Sequence, residues 1–255
     1  MNRKNFLRLG GVSLLGLAGR KAVGAFADAA VRPADQAGGA LTARRWAMVI
    51  DARKCFEEEG CDDCVRACHQ VHNVPEFDEQ RHEVKWIWKE PFQEAFISEH
   101  SPYANEMFHE KPVLVFCNHC DQPPCVRVCP TQATWRREDG LVMMDWHRCI
   151  GCRYCMAGCP YGSRSFNWVD PRPQIRQTNT DYPTRAKGVV EKCTFCDERL
   201  ARGQLPACVE ACKHGALVFG DLEDAGSKVR DLLRTNFTIR RKPELGTAPE
   251  IYYII

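Results

Sequence analysis

Short apolar stretches separated by turn residues run along this chain, and each predicts an element. Residues 45–51 (RWAMVID) and 113–116 (VLVF) read as strands. Residues 133–137 and 141–145 flank Asp139-Gly140, which predicts a hairpin with its turn residues in place. Residues 216–219 (ALVF) read as a further strand. Residues 224–235 place Val229, Leu232 and Leu233 at helical spacing. Two stretches break the rhythm. Residues 73–112 carry Trp86, Trp88, Phe92, Phe96 and Phe108 among charges, and residues 161–192 are rich in Pro, Arg, Asn and Thr. Both are expected to be insertions that cover a core or meet partners, their aromatics serving packing. The tail, 242–255, holds Pro243, Gly246 and Pro249 and ends in Ile251-Tyr252-Tyr253-Ile254-Ile255. It is expected to be extended and to dock on the chain's own core or on a partner. On that expectation, deleting residues 250–255 leaves metal content intact and releases the protein from a complex.

The first apolar stretch, residues 6–17, is interrupted by Gly10, Gly11 and Gly16 and is too short to span a bilayer. Arg3, Lys4, Arg8, Arg20 and Lys21 supply its charge, and Ala25-Phe26-Ala27 is a small-x-small cleavage site. Residues 1–27 therefore read as an export signal cut before Asp28. Its Arg3-Lys4-Asn5-Phe6-Leu7-Arg8 resembles a twin-arginine signal with Lys4 in place of the second arginine. Such export after folding lets thiols take up metal in a reducing compartment.

Loss of the leader takes 35 basic residues to 30 against 33 acidic, a net charge of −3. That balance points away from nucleic acid and anionic lipid. No G-x-G-x-x-G and no P-loop is present, and no nucleophile–base pair stands out. The expected protein is not an enzyme.

Cysteine changes the picture. Sixteen fall into four groups of four: Cys55, Cys61, Cys64, Cys68; Cys117, Cys120, Cys125, Cys129; Cys149, Cys152, Cys155, Cys159; and Cys193, Cys196, Cys208, Cys212. Each group ends in C-x3-C, and groups two and three continue into Pro130 and Pro160. Group three is C-x2-C-x2-C-x3-C-P, the spacing of two-cluster ferredoxins, whose fourth cysteine ligates the other cluster. Three thiolates come from one tight loop, and the fourth lies too far around the following helix to reach the same iron. Groups one, two and four carry longer loops. Disulfides suit an exported chain and zinc suits C-x2-C pairs, but zinc leaves the middle cysteine of C-x2-C-x2-C without a role. Iron–sulfur clusters use every thiol. Cys64 to His69 spells C-x3-C-H, one residue longer than the haem signature. His119 and His147 lie close enough in sequence to hydrogen-bond a cluster sulfur. Tyr161, Arg164 and Arg172 read as packing, solubility or docking residues.

The array resembles the four-cluster, ferredoxin-like electron-transfer subunits that accompany molybdopterin oxidoreductases and NrfD-type membrane proteins. Cys117-Asn118-His119-Cys120-Asp121-Gln122-Pro123-Pro124-Cys125, Met143 to Cys155, Cys159-Pro160-Tyr161-Gly162 and Arg241-Lys242-Pro243-Glu244-Leu245-Gly246 are similar to the DsrO-type periplasmic subunits of the DsrMKJOP complex. The resemblance implies an α+β fold, a tandem bacterial-ferredoxin-like core with pseudo-two-fold symmetry. It also implies pairing of group one with four and of two with three. Carried over, Cys55, Cys61, Cys64 and Cys212 hold cluster 1, and Cys68, Cys193, Cys196 and Cys208 hold cluster 2. Cys117, Cys120, Cys125 and Cys159 hold cluster 3, and Cys129, Cys149, Cys152 and Cys155 hold cluster 4. The stretched spacings of groups one and four leave a [3Fe–4S] centre or an absent cluster open in that pair. The implied function is electron relay at the outer face of a membrane, in dissimilatory sulfur metabolism. The implied partners are a quinone-interacting NrfD-type integral subunit, a multihaem cytochrome c and further subunits of the complex. The alternative is the electron-transfer subunit of a tetrathionate, polysulfide or nitrite-linked molybdopterin enzyme.

Overall fold

The structure, a computed structural model, describes residues 39–58, 60–99 and 111–255. The leader, 1–27, and Phe108 lie outside the described residues. From Ala40 onward the chain forms one compact unit of mixed helix and strand.

Its largest sheet has four strands: β1 (Trp46–Asp51), β8 (Leu217–Asp221), β9 (Thr238–Ile239) and β10 (Ile251–Ile254), in the order β8-β1-β10-β9. β1 runs antiparallel to β8 and parallel to β10. All but the last residue of β1 are buried, because both faces are covered. Met48 and Ile50 point into the main core with Phe219, Ile251 and Tyr253. Ala47 and Val49 point the other way, with Ile254, onto Val229 of the helix Lys228–Thr235. Ser227 caps that helix by accepting from the Arg230 N–H at 3.2 Å, a contact worth about 1 kcal/mol.

Three two-stranded hairpins complete the strands: β2 (Ile87–Pro91) with β3 (Pro112–Phe116), β4 (Thr134–Arg136) with β5 (Val142–Met144), and β6 (Ser165–Phe166) with β7 (Val190–Glu191). Five helices serve the cysteines: α1 (Ala52–Glu57), α2 (Asp63–Val71), α4 (Pro124–Arg127), α5 (Tyr154–Ala157) and α7 (Ala207–Ala211). The remaining helices are α3 (Phe92–Ala95), α6 (Asp197–Leu200) and α8, the Lys228–Thr235 helix. Among the described residues no helix is long and apolar enough to cross a membrane.

Two sequence expectations gain structural detail here. The stretch 73–112 is more than a cover: it contributes β2, and Trp86 and Phe96 are fully buried in the main core. The tail packs on the chain's own core, the first of the two expected alternatives, and does so as part of the fold rather than as an appended end. Residues 242–250 lace along group two, the Asp121 and Gln122 N–H groups donating to the Ala248 and Thr247 carbonyls at 2.8 and 3.0 Å. The tail then enters the sheet as β10, between β1 and β9. Its apolar residues are apolar because they form an interior strand.

Candidate metal centres

None of the sixteen cysteines is in a disulfide. Helix packing decides which of them meet. α2 of group one packs on α7 of group four, and α4 of group two packs on α5 of group three. At the second crossing Gly158 lets the helices close: a Cβ there would stand 3.1 Å from Val128 Cγ2 and 3.8 Å from Cys125 Cα. Each crossing carries the last cysteine of a group away from its own loop.

The result is visible in the cavities. One is lined by Cys55, Cys61 and Cys64 of group one together with Cys212 of group four. Another is lined by Cys117, Cys120 and Cys125 of group two together with Cys159 of group three. Cys68 is buried among Cys193, Cys196 and Cys208. Cys129 and Cys149 pack on the apolar cluster that contains Cys155. Cys152 stays half-buried in the group-three loop.

Burial, reinforced by neighbouring thiols, pushes Cys55 up to about 12 and Cys64 up to about 11. Burial also raises Cys68, Cys120, Cys159 and Cys208. Four buried thiols facing one another form a poor anionic site by themselves and a good soft-metal site, because a metal takes them as thiolates and releases their protons. The donor set therefore fits iron–sulfur clusters. Backbone amides already point at sulfur: the N–H groups of Phe195, Ala207 and Ala216 donate to Cys193, Cys196 and Cys212 at 3.4, 3.4 and 3.3 Å.

A local geometry recurs in all four loops, and only its two glycines mark it in the sequence. The residue before the second cysteine is left-handed each time: Gly60 (φ 75°), His119 (φ 42°), Gly151 (φ 68°) and Phe195 (φ 57°). Two are glycines, for which this conformation is ordinary. The two that are not stack face to face, His119 on Phe195, with ring centroids 3.9 Å apart. His119 is fully buried, and its Nδ1 accepts the Val142 N–H at 3.1 Å. With Nδ1 accepting, the ring proton sits on Nε2, which is buried and meets no hydrogen-bond acceptor among the described residues. His147 is exposed.

Other site residues were missed, or were left open between packing and docking. His72 lies one helical turn beyond Cys68, an i,i+4 spacing that could have flagged it. Its Nδ1 donates to the Cys68 carbonyl at 2.9 Å and sits 3.6 Å from the Cys68 sulfur, while its Nε2 meets Glu198 at 3.0 Å. Lys192 is fully buried and donates to the Val142 and Cys193 carbonyls. Arg164 and Tyr161 are buried, which removes them from any docking surface. Arg172 is exposed and pairs with Asp170 at 2.7 Å.

The sequence profile of the 4Fe–4S dicluster domain matches residues 112–174 and 178–222. This chain is 43% identical over 230 residues to the Hdr-like menaquinol oxidoreductase iron–sulfur subunit 1 of Archaeoglobus fulgidus, covering 82% of this chain and 83% of that protein. It is 37% identical to the B subunit of tetrathionate reductase from Salmonella typhimurium, over 82% of this sequence and 72% of that one. It is 35% identical to the B polypeptide of polysulfide reductase from Wolinella succinogenes, over 83% and 95% respectively. The chain belongs to the family of iron–sulfur subunits built on 4Fe–4S dicluster domains. Within that family it is an electron-transfer subunit of a redox complex and not a catalytic one.

Proposed function

We propose that this chain holds four [4Fe–4S] clusters on the crossed ligand sets given above, in a tandem, pseudo-two-fold ferredoxin-like core. The observation that carries the reading is the convergence of three C-x3-C terminal cysteines, Cys68, Cys159 and Cys212, on the loop of a partner group. Each cluster, when bound, accepts and gives up one electron. The chain's own part is to space the four sites and to insulate them. Electrostatic interactions between thiols of different sets support a single file. Cys64 acts through space on Cys208 and Cys68, Cys117 on Cys193, and Cys125 on Cys155. The order is then cluster 1, 2, 3, 4.

The leader and the DsrO-like loops support a finer reading: an extracytoplasmic subunit held at a membrane, relaying electrons between an NrfD-type integral subunit and a multihaem cytochrome c in dissimilatory sulfur metabolism. Similarity to the tetrathionate reductase and polysulfide reductase polypeptides favours a second reading, service to a molybdopterin enzyme.

Iron and acid-labile sulfide analysis of anaerobically purified protein is the test of content. It should give about sixteen iron per chain at four per site, and stoichiometric zinc with little iron overturns the reading. Cys159→Ala should remove about a quarter of the iron and leave the paramagnetic signal of the Cys149, Cys152, Cys155 site unchanged. Loss of that signal instead refutes the crossing. Subunit composition of the native complex separates the two partner readings: a haem protein with a polytopic subunit, or a molybdopterin subunit.

A further inference from the structure

Three buried arginines stand out among the described residues, and one is treated differently from the other two. Arg185 is paired with Glu191, and both side chains are almost wholly buried. Its remaining donors reach the His72 and Asn73 carbonyls. Arg241 is paired with Glu90 at 3.0 Å. Arg164 is 4% exposed and has no such carboxylate. Its Nη2 donates to the Cys125 sulfur at 3.1 Å and to the Thr134 hydroxyl at 2.8 Å, and its Nη1 approaches the Met144 sulfur at 3.7 Å. A buried charge left without an opposite charge is strongly destabilising. The groups whose charge acts on Arg164 are thiols: Cys125, Cys155 and Cys117. Cys125 and Cys117 belong to the third ligand set, and Cys155 to the fourth. The guanidinium therefore stands between two sites, with its 3.1 Å hydrogen bond on a ligand of the third and a weaker interaction with Cys155 of the fourth.

We propose that Arg164 is a potential-setting residue that raises the reduction potentials of the sites built on groups two and three, the third more than the fourth. The inference rests on the ligand sets assigned above. Reduction of either site adds one negative charge, with one electron supplied from outside and no atom transferred. A fixed positive charge in a dry, low-dielectric place stabilises that extra negative charge, and hydrogen bonds to sulfur act in the same sense. Thr134 and Met144, on facing strands of one hairpin, hold the guanidinium so that it cannot turn to water.

The experiment is an anaerobic redox titration of the full chain, followed by low-temperature paramagnetic resonance, in wild type, Arg164→Gln and Arg164→Lys. Iron per chain is measured on the same samples. In Arg164→Gln with iron retained, the couple of the third site should fall by at least a tenfold change in its reduced-to-oxidised ratio, about 59 mV for one electron. The fourth should fall by less, and the first and second should stay in place. Arg164→Lys keeps the charge and should recover more than half of the fall. Shifts below tenfold at every site, or an equal shift at all four, overturn the proposal. A wild type that lacks iron fails the ligand reading instead, which keeps the two failures apart. Should Arg164→Gln lose its iron, wild-type protein labelled with 15N only in the arginine guanidinium decides. A pulsed-resonance nitrogen coupling to a reduced cluster that vanishes in Arg164→Lys supports the contact, and its absence overturns it.

Discussion

In the region built on groups two and three, every cysteine comes from one stretch of sequence, residues 117–159, and short hairpins on either side close it. In the region built on groups one and four, the cysteines come from residues 55–68 and 193–212. There the chain must return across its own length before a site can form. The first region is local and regular. The second is held by long-range structure: β1 leads into group one, β8 leads out of group four, and β10 from the far end of the sequence runs beside β1. The difference also shows at the surface. The Cys55, Cys61, Cys64, Cys212 cavity is wide, about 790 Å3, whereas the Cys117 set is closed by Tyr161, Ser163 and Arg164. A local site survives loss of distant segments; a site closed by long-range pairing does not.

Removing residues 250–255 breaks this comparison most severely. β10 supplies Ile251, Tyr253 and Ile254, each about 1% exposed and each worth about 1.5–3 kcal/mol of burial. Glu250 pairs with Arg45, and its N–H donates to the Asn118 carbonyl at 2.9 Å. The summed loss is comparable with the whole stability of an ordinary domain, about 5–15 kcal/mol. The truncated protein should lose the iron of the group-one and group-four sites first, measured as iron per chain in whatever remains soluble. A truncated protein with full iron content would sink this account of the tail and revive the docking one.

The tail shows what the sequence carried and what it hid. The β1 strand, the Asp139-Gly140 hairpin and the helix after residue 224 were legible, because each is specified by local pattern and turn chemistry. The four cysteine groups were legible for the same reason. The tail's role was not, since an apolar end reads alike whether it pairs inside or docks outside. β2 was hidden among the charges of 73–112, its partner β3 lying across a long connection. His72, Lys192 and Arg164 act through contacts that only the folded protein makes. The left-handed positions were half visible, as Gly60 and Gly151, and hidden where His119 and Phe195 accept the same conformation in exchange for stacking on each other.

The seam between the regions gives a second, smaller effect. Glu191 on β7 accepts from Trp86 Nε1 at 2.9 Å and from Arg185 Nε at 2.7 Å, and Arg185 holds the backbone just beyond α2. The Arg185 guanidinium also stacks near the Trp86, Trp146 and Tyr182 rings, 5.3 to 5.8 Å from their centroids. Glu191→Gln leaves a buried guanidinium unpaired, at a cost of about 3–5 kcal/mol. The midpoint of thermal bleaching of the visible absorption should fall by on the order of 10 °C. A fall below about 2 °C would mean that the ring stack alone holds the seam.

The smallest effect tests the loops directly, through two glycines at the same place in two regions. Gly60 precedes Cys61 at φ 75°, and a Cβ there would meet nothing within 4 Å. Gly151 precedes Cys152 at φ 68°, and a Cβ there would stand 2.4 Å from the Gly188 carbonyl oxygen and 3.1 Å from the Phe166 ring. Gly60→Ala therefore costs only the left-handed conformation, about 1–2 kcal/mol. Gly151→Ala adds overpacking against backbone, a further 1–3 kcal/mol or so, because the 161–192 stretch lies over the group-three loop and cannot yield as a side-chain tip would. Chelator-driven loss of iron, followed by the decay of each paramagnetic signal, separates the two. In Gly60→Ala the Cys55 set should release iron slightly faster than in wild type. In Gly151→Ala the Cys149 set should release it several-fold faster than that. Equal rates in the two variants would show that the group-three loop moves freely under its cover, and that the regularity of this region lies in its spacing and not in its packing.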